Sequence, residues 1–297
     1  GSEDFIAEYL DQEALPEVVV AVLDTGINRV PKLFEGRILG DGINFSDSGD
    51  DSSADDLYHG THVTGTICEM TPDNVKILPV KVFDENGSAS DEQIYLGLMY
   101  AMEQGADIVN MSFGGLGVSP LEIEAMSIAD ASGMICCAAS GNNGADAGYY
   151  YPGSIASCIT VGAVSQDMER ANFSNYGSSL DVVAPGVGIM SYVLGEAEEK
   201  ENQNGTSMAT PHVSACCALL RSYDKDMTPA RAEALLRLNA TDLGPAGFDR
   251  DFGWGFINMS DFRWDDGICP APVFSVRSGN YGKAQTVALS VNLDDAK

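Results

Sequence analysis

Short apolar runs that alternate with helix-length segments constrain this chain more than any other feature. "VVVAVLD" begins at Val18, "VKILPVKVF" at Val75, "ADIVNMSF" at Ala106, "GMICCAAS" at Gly133 and "SCITVGAV" at Ser157. Between them lie "SDEQIYLGLMYAMEQG" from Ser90 and "SPLEIEAMSIADASG" from Ser119, both with helical patterning. Strand, helix, strand repetition of this kind predicts an α/β fold: a mostly parallel twisted sheet covered by helices on both faces. Such sheets build their sites beyond the carboxyl ends of the strands. Asp24, Ser112 and Asn142 each follow a predicted strand at that edge.

The 297 residues suffice for one large domain or two smaller ones with a real core. Lys and Arg number 16 against 44 Asp and Glu, a net charge of −28, which repels nucleic acid and anionic membranes and favours cationic partners. Part of that charge lies in "SDSGDDSSADD", residues 46–56. Its ordinary reading is a solvated loop; clustered carboxylates with Gly and Ser are also the hard oxygen donors that Ca2+ takes. The seven cysteines are an odd number, lack a CxxC pair, and all but Cys269 sit in apolar segments, so they read as small core residues and not as a disulfide frame or zinc site. No run of 18 apolar residues and no signal-peptide pattern is present, which predicts no membrane span in this chain. Gly1 and Ser2 read as a tag remnant, residues 3–264 as the main domain, and residues 265–297 as a Pro-containing linker followed from Val273 by the first strands of a truncated β module.

"NGTSMATPHV" poses the functional question, because Ser207 there is either a nucleophile or only the hydroxyl that starts a helix whose first turn tolerates Pro211. Three other segments bear on it: Asp24 in "AVLDTGI", His59 in "HGTHVTGTI" and Asn142 in "AASGNNG". Singly, each has a bland reading: a turn cap, an incidental histidine, an Asn suited to a tight turn. His59 and His62 also have the spacing of a metal pair, but no HExxH and no third ligand accompany them, so no metal is assigned. Together the four residues supply what acyl transfer needs: a nucleophile, a base to take its proton, an acid to orient the base, and a donor for the oxyanion.

These blocks, with "VNMSFGG", "YYPGS", "ANFSNYG" and "VVAPG", resemble the subtilisin-like serine proteases from about Val18 to about Phe262. The order Asp, His, Ser agrees with that family, and a GxSxG elbow is absent around Ser207. The resemblance implies a serine endopeptidase with Asp24 as orienting acid, His59 as general base and acid, Ser207 as nucleophile and Asn142 in the oxyanion hole. It makes His62 and His212 structural. It implies that an extended peptide or protein substrate is held between Gly87, Ser88 and Ala89 on one side and Ser112, Phe113, Gly114 and Gly115 on the other. Ala139, Ser140, Gly141 and Tyr150 would line the primary specificity pocket with residues 112–115. Tyr150 at its floor implies a shallow pocket for small or medium side chains; Asp91, Ile94 and Phe113 would line a more distant one, with Asp91 favouring a basic group. "CEMTPDNVK" is shorter than the calcium-binding loop of many relatives, so that site is not expected. A secreted or cell-surface location follows from the family and from a tail similar to the opening of immunoglobulin-like repeats. The alternatives are a dedicated precursor-processing protease and a catalytically silent binding module.

Overall fold

The computed structural model describes residues 1–10, 15–47, 49, 51–117, 119–195 and 198–264, together with two short strands near the end of the chain. Helix α1 (Ser2–Tyr9) precedes β1 (Val18–Asp24), β2 (Ile43–Asn44), α2 (His59–Met70), β3 (Val75–Lys81) and α3 (Asp91–Glu103). The chain continues through β4 (Ile108–Met111), β5 (Gly115–Leu116), α4 (Pro120–Ser132), β6 (Ile135–Ala139), β7 (Tyr150–Tyr151), β8 (Cys158–Val164) and β9 (Val182–Pro185). A hairpin of β10 (Ile189–Tyr192) and β11 (Lys200–Gln203) then leads into α5 (Thr206–Tyr223) and α6 (Pro229–Asn239).

Seven strands form one parallel sheet in the order β2-β3-β1-β4-β6-β8-β9. The inner strand β1 is buried at every residue, which is why its sequence shows no polar alternation. Its side chains still alternate between faces. Val18, Val20 and Val22 join a core with residues of α2 and α5, whereas Val19, Ala21 and Leu23 join one with residues of α3 and α4. Small side chains keep α5 close to the sheet: Cys137 on β6 meets Cys217 on α5 with sulfurs 3.9 Å apart. All six described cysteines are free and buried, as packing groups should be, and burial pushes the Cys68 and Cys216 thiols up to about 12. Cys269 lies outside the described residues, as do the expected linker and most of the expected β module. Of the module, β12 (Val273–Phe274) pairs antiparallel with β13 (Leu289–Ser290).

Arg37 is 1% exposed although it carries a permanent charge, and no carboxylate pairs with it among the described residues. Its guanidinium donates to the carbonyls of Val75, Cys68 and Thr71 at 2.7–3.1 Å and to the Thr71 hydroxyl at 2.6 Å. Cys68 and Thr71 lie at the carboxyl end of α2, a helix with no basic residue in its own last turn, so Arg37 supplies both the missing donors and the charge that the helix end favours. Arg37→Met keeps much of the volume and removes these bonds. We expect it to cost about 3 kcal/mol, seen as a melting temperature lower by roughly 5 °C.

Candidate active site

Strands β1, β4 and β6 lie side by side in the sheet, and Asp24, Ser112 and Asn142 occur at or just past their carboxyl ends. The amino ends of α2 and α5 bring His59 and Ser207 to the same edge. Asp24 is buried; its Oδ1 accepts from the Thr25 backbone N–H at 2.8 Å and from His59 Nδ1 at 2.7 Å. A carboxylate partner makes Nδ1 the protonated nitrogen, which leaves the lone pair on His59 Nε2. Burial pulls the His59 pKa down, but the charge and hydrogen bond of Asp24, followed by the charge of Asp55, lift it above the ordinary imidazole value. The two elements approach so closely because residue 60 is glycine. A Cβ there would lie 2.2 Å from the Gly26 carbonyl oxygen and 3.1 Å from Asp24 Cβ.

Among the described residues of the acidic run only Ser53 and Asp55 are buried, so the run is largely the solvated loop expected, with one carboxylate turned inward. Asp55 is 8% exposed. Its Oδ1 accepts from the Thr25 hydroxyl and from the backbone N–H groups of Leu57 and Tyr58; its Oδ2 accepts from the backbone N–H and hydroxyl of Thr61. These bonds fasten the first turn of α2, where orphan N–H groups and the helix dipole favour an anion. Asp56 pairs with the buried Lys81 at 2.8 Å, and Lys81 Nζ also donates to the Thr25 carbonyl at 2.6 Å. Asp55 and Asp56 are thus engaged by protein groups, and among the described residues no group of three or more His, Cys, Asp or Glu side chains is placed to hold a metal. The sequence carries little signal for Asp55, which stands three residues ahead of the cap position Tyr58 and not at the cap itself.

Ser207 is the second residue of α5, and its hydroxyl does not cap that helix. The cap comes from Asn142, whose Oδ1 accepts from the Thr206 backbone N–H at 2.8 Å and the Thr206 hydroxyl at 2.9 Å. This orientation keeps the Asn142 Nδ2 donors out of the cap, and the residue is exposed. The Ser207 hydroxyl donates to the Ser112 carbonyl at 2.8 Å and not to His59. Pro211 stands inside the helix and not in its first turn. It cannot donate to the Ser207 carbonyl as a residue four places on normally does, and the Ser112 hydroxyl does so instead, at 2.8 Å. Ser112 and Ser207 are thus joined twice. Asn110, which sequence reasoning did not single out, steadies the pair by donating to the Ser112 hydroxyl at 3.0 Å and accepting from Ser214 on α5 at 2.9 Å.

The residues expected to hold substrate assemble around this centre. A cavity of about 300 Å³ is lined by Asp24, Thr25, Leu57, Tyr58, His59, Phe83, Gly87, Ser112 and Phe113. Phe83, absent from the sequence-based set, meets Phe113 edge-on at 5.0 Å. Ser88 and Ala89 follow in a turn held by Asp84, whose Oδ1 accepts from the N–H groups of Asn86 and Ser88. Opposite, Leu116 pairs with Tyr150 and Gly115 with Tyr151. Gly114 faces the Tyr151 carbonyl and, beyond it, that of Ala139. The Tyr150 ring packs on Gly141, where a Cβ would stand 3.0 Å from it. Asn175 donates to the Ser140 carbonyl at 2.8 Å and accepts from the N–H groups of Asn143 and Ala145, so it fixes the loop that carries Asn142.

Residues 16–255 match the family model described as the subtilase family. The chain belongs to the subtilase family. It is 40% identical over 249 residues to alkaline elastase YaB of Bacillus sp. (strain YaB), a match that spans 81% of this chain and 63% of that protein. Against Subtilisin Savinase of Lederbergia lenta the identity is 37% over 249 residues, 81% of this chain and 88% of the relative. Among solved structures, a cold adapted subtilisin-like serine proteinase superposes with a TM-score of 0.71 at 34% identity over 82% of this chain and 87% of that one. A lanthipeptide protease has the same fold, with a TM-score of 0.76 at 20% identity, covering 87% and 91%. No helix among the described residues of this subtilase is long and apolar enough to cross a membrane.

Proposed function

We propose that this subtilase is a serine endopeptidase that cleaves extended polypeptides outside the cell through an acyl-enzyme on Ser207. The observation that carries the reading is the Asp24–His59 bond of 2.7 Å at the sheet edge where α5 presents Ser207. In the reaction the Ser207 hydroxyl turns from the Ser112 carbonyl toward His59, passes its proton to Nε2, and attacks the substrate carbonyl carbon. Negative charge on the carbonyl oxygen is met by the Ser207 backbone N–H at the start of α5 and by Asn142 Nδ2, donors already in place before the charge develops. His59, now protonated and steadied by Asp24, gives its proton to the leaving amine. Water then attacks the acyl-enzyme with His59 again as base, and Ser207 is restored.

Residues 87–89 and 112–115 are suited to offer backbone hydrogen bonds on both sides of an extended peptide, recognition that is blind to sequence. Selectivity is left to the pockets, and Tyr150 against Gly141 narrows the first of them. The test is cleavage of a peptide library, with fragments identified by mass. Small or medium residues are expected before the scissile bond, and Tyr150→Gly is expected to raise relative kcat/KM for large aromatic residues there about tenfold or more, the scale on which pocket volume discriminates. An aromatic preference in the parent chain would contradict the assignment of Tyr150. Cutting confined to a single sequence would point to dedicated precursor processing, and no cutting by a folded chain to a silent binding module.

A further inference from the structure

The chemistry proposed above leaves His62 unused, although it stands one turn after His59 on α2 and is fully buried. Its Nε2–H lies 3.0 Å from the Ile189 carbonyl oxygen and 3.2 Å from that of Glu201. Those carbonyls belong to opposite strands of the β10–β11 hairpin, so one donor bridges both. The His62 backbone carbonyl accepts from the Ser191 hydroxyl at 2.8 Å. At the next turn Gly65 lets the hairpin touch the helix: a Cβ would stand 2.2 Å from Ser191 Oγ and 2.9 Å from the Tyr192 ring. Further on, Glu69 pairs with Lys200. Positions 62, 65 and 69 share one helix face, which is therefore clamped to the hairpin along its length.

The hairpin matters because β11 runs straight into the nucleophile segment. Its base is closed where Gly188 N–H donates to Asn204 Oδ1 at 2.6 Å and Gly205 N–H donates to the Gly186 carbonyl at 2.9 Å. α2 thus carries His59, and the element it grips delivers Ser207. We propose that His62 is a positioning residue that sets the separation of His59 from Ser207 by pinning the hairpin to α2, a role that rests on the assignment of those two residues as base and nucleophile. Burial holds His62 below the ordinary imidazole range, and its Nδ1 has no partner among the described residues. The ring acts here as a neutral donor.

The experiment compares His62→Phe, which keeps an aromatic ring without a donor, with His62→Gln, whose amide N–H can reach a carbonyl. Because a misplacement of about 1 Å can cost about 10²-fold, His62→Phe is expected to lower kcat by roughly 10- to 100-fold with KM within about twofold. His62→Gln is expected to recover most of that loss. Ser191→Ala, which breaks the second tie, is expected to lower kcat several-fold in the same pattern, and it decides the matter should His62→Phe not fold. Parental kcat with only a lower melting temperature, or equal impairment of the Phe and Gln variants, would overturn the proposal. Labelling of Ser207 in the parent chain by a fluorophosphonate keeps the two levels apart. If the parent labels and His62→Phe turns over normally, only the role of His62 falls; if the parent does not label, the catalytic assignment falls and this role with it.

Discussion

Ser207→Ala is expected to reduce kcat for peptide cleavage by about 10⁶-fold, the scale of the same loss in subtilisin itself, from which the magnitude is taken, while leaving the fold intact. The structure separates the two effects. The hydroxyl being removed donates only to the Ser112 carbonyl, a bond with a net worth of about 1 kcal/mol. The start of α5 is held by other groups: Asn142 caps Thr206, and the Ser112 hydroxyl satisfies the Ser207 backbone carbonyl opposite Pro211. A variant that is inactive, folded and melting within a few degrees of the parent meets the expectation. Residual cleavage within 100-fold of the parent would place the nucleophile elsewhere.

Asp24→Asn is expected to cost about 10⁴-fold in kcat, again the scale set by serine proteases whose orienting acid is replaced. The same Oδ1 accepts from both Thr25 and His59, so an amide that turns its N–H to His59 Nδ1 gives up the Thr25 bond, a loss of about 1 kcal/mol that the fold tolerates. What changes is the ring, because an amide N–H facing Nδ1 favours the tautomer with the proton on Nε2, which cannot take a proton from Ser207. The pH profile carries an independent signature. His59 works as base only when neutral, and Asp24 raises its pKa, so activity of the parent rises with pH through a midpoint above the ordinary imidazole value of about 6.5. Removing the Asp24 charge lowers that pKa, and the midpoint of whatever activity remains moves to lower pH. A limb that stayed in place would mean that Asp24 does not set the charge state of His59.

The parallel sheet was legible because burial on both faces writes itself into strands such as β1 as an unbroken apolar run, with helix-patterned segments between them. Asp24, His59, Asn142 and Ser207 were legible because acyl transfer needs those residue types together, and each occurs at a strand end or helix start. The less legible features depend on groups distant in sequence. Asp55 looks solvated within an acidic run until Thr25 and Thr61 fold around it. Nothing in the sequence marks Arg37 for burial, which depends on the carbonyls at the end of α2 and the start of β3 closing over it. The direction of the Ser207 hydroxyl, and the replacement of the bond lost at Pro211, depend on Ser112 arriving from β4. His62 shows its second role only once a hairpin far along the chain lies across its helix.

The central claim is that Ser207 is a nucleophile activated by His59, and the mass of the protein after reaction with a fluorophosphonate tests it most directly. One adduct per folded chain, mapped by peptide sequencing to Ser207 and lost in His59→Ala, is the predicted result. A folded chain that takes no adduct, or takes it on another residue, would contradict the account.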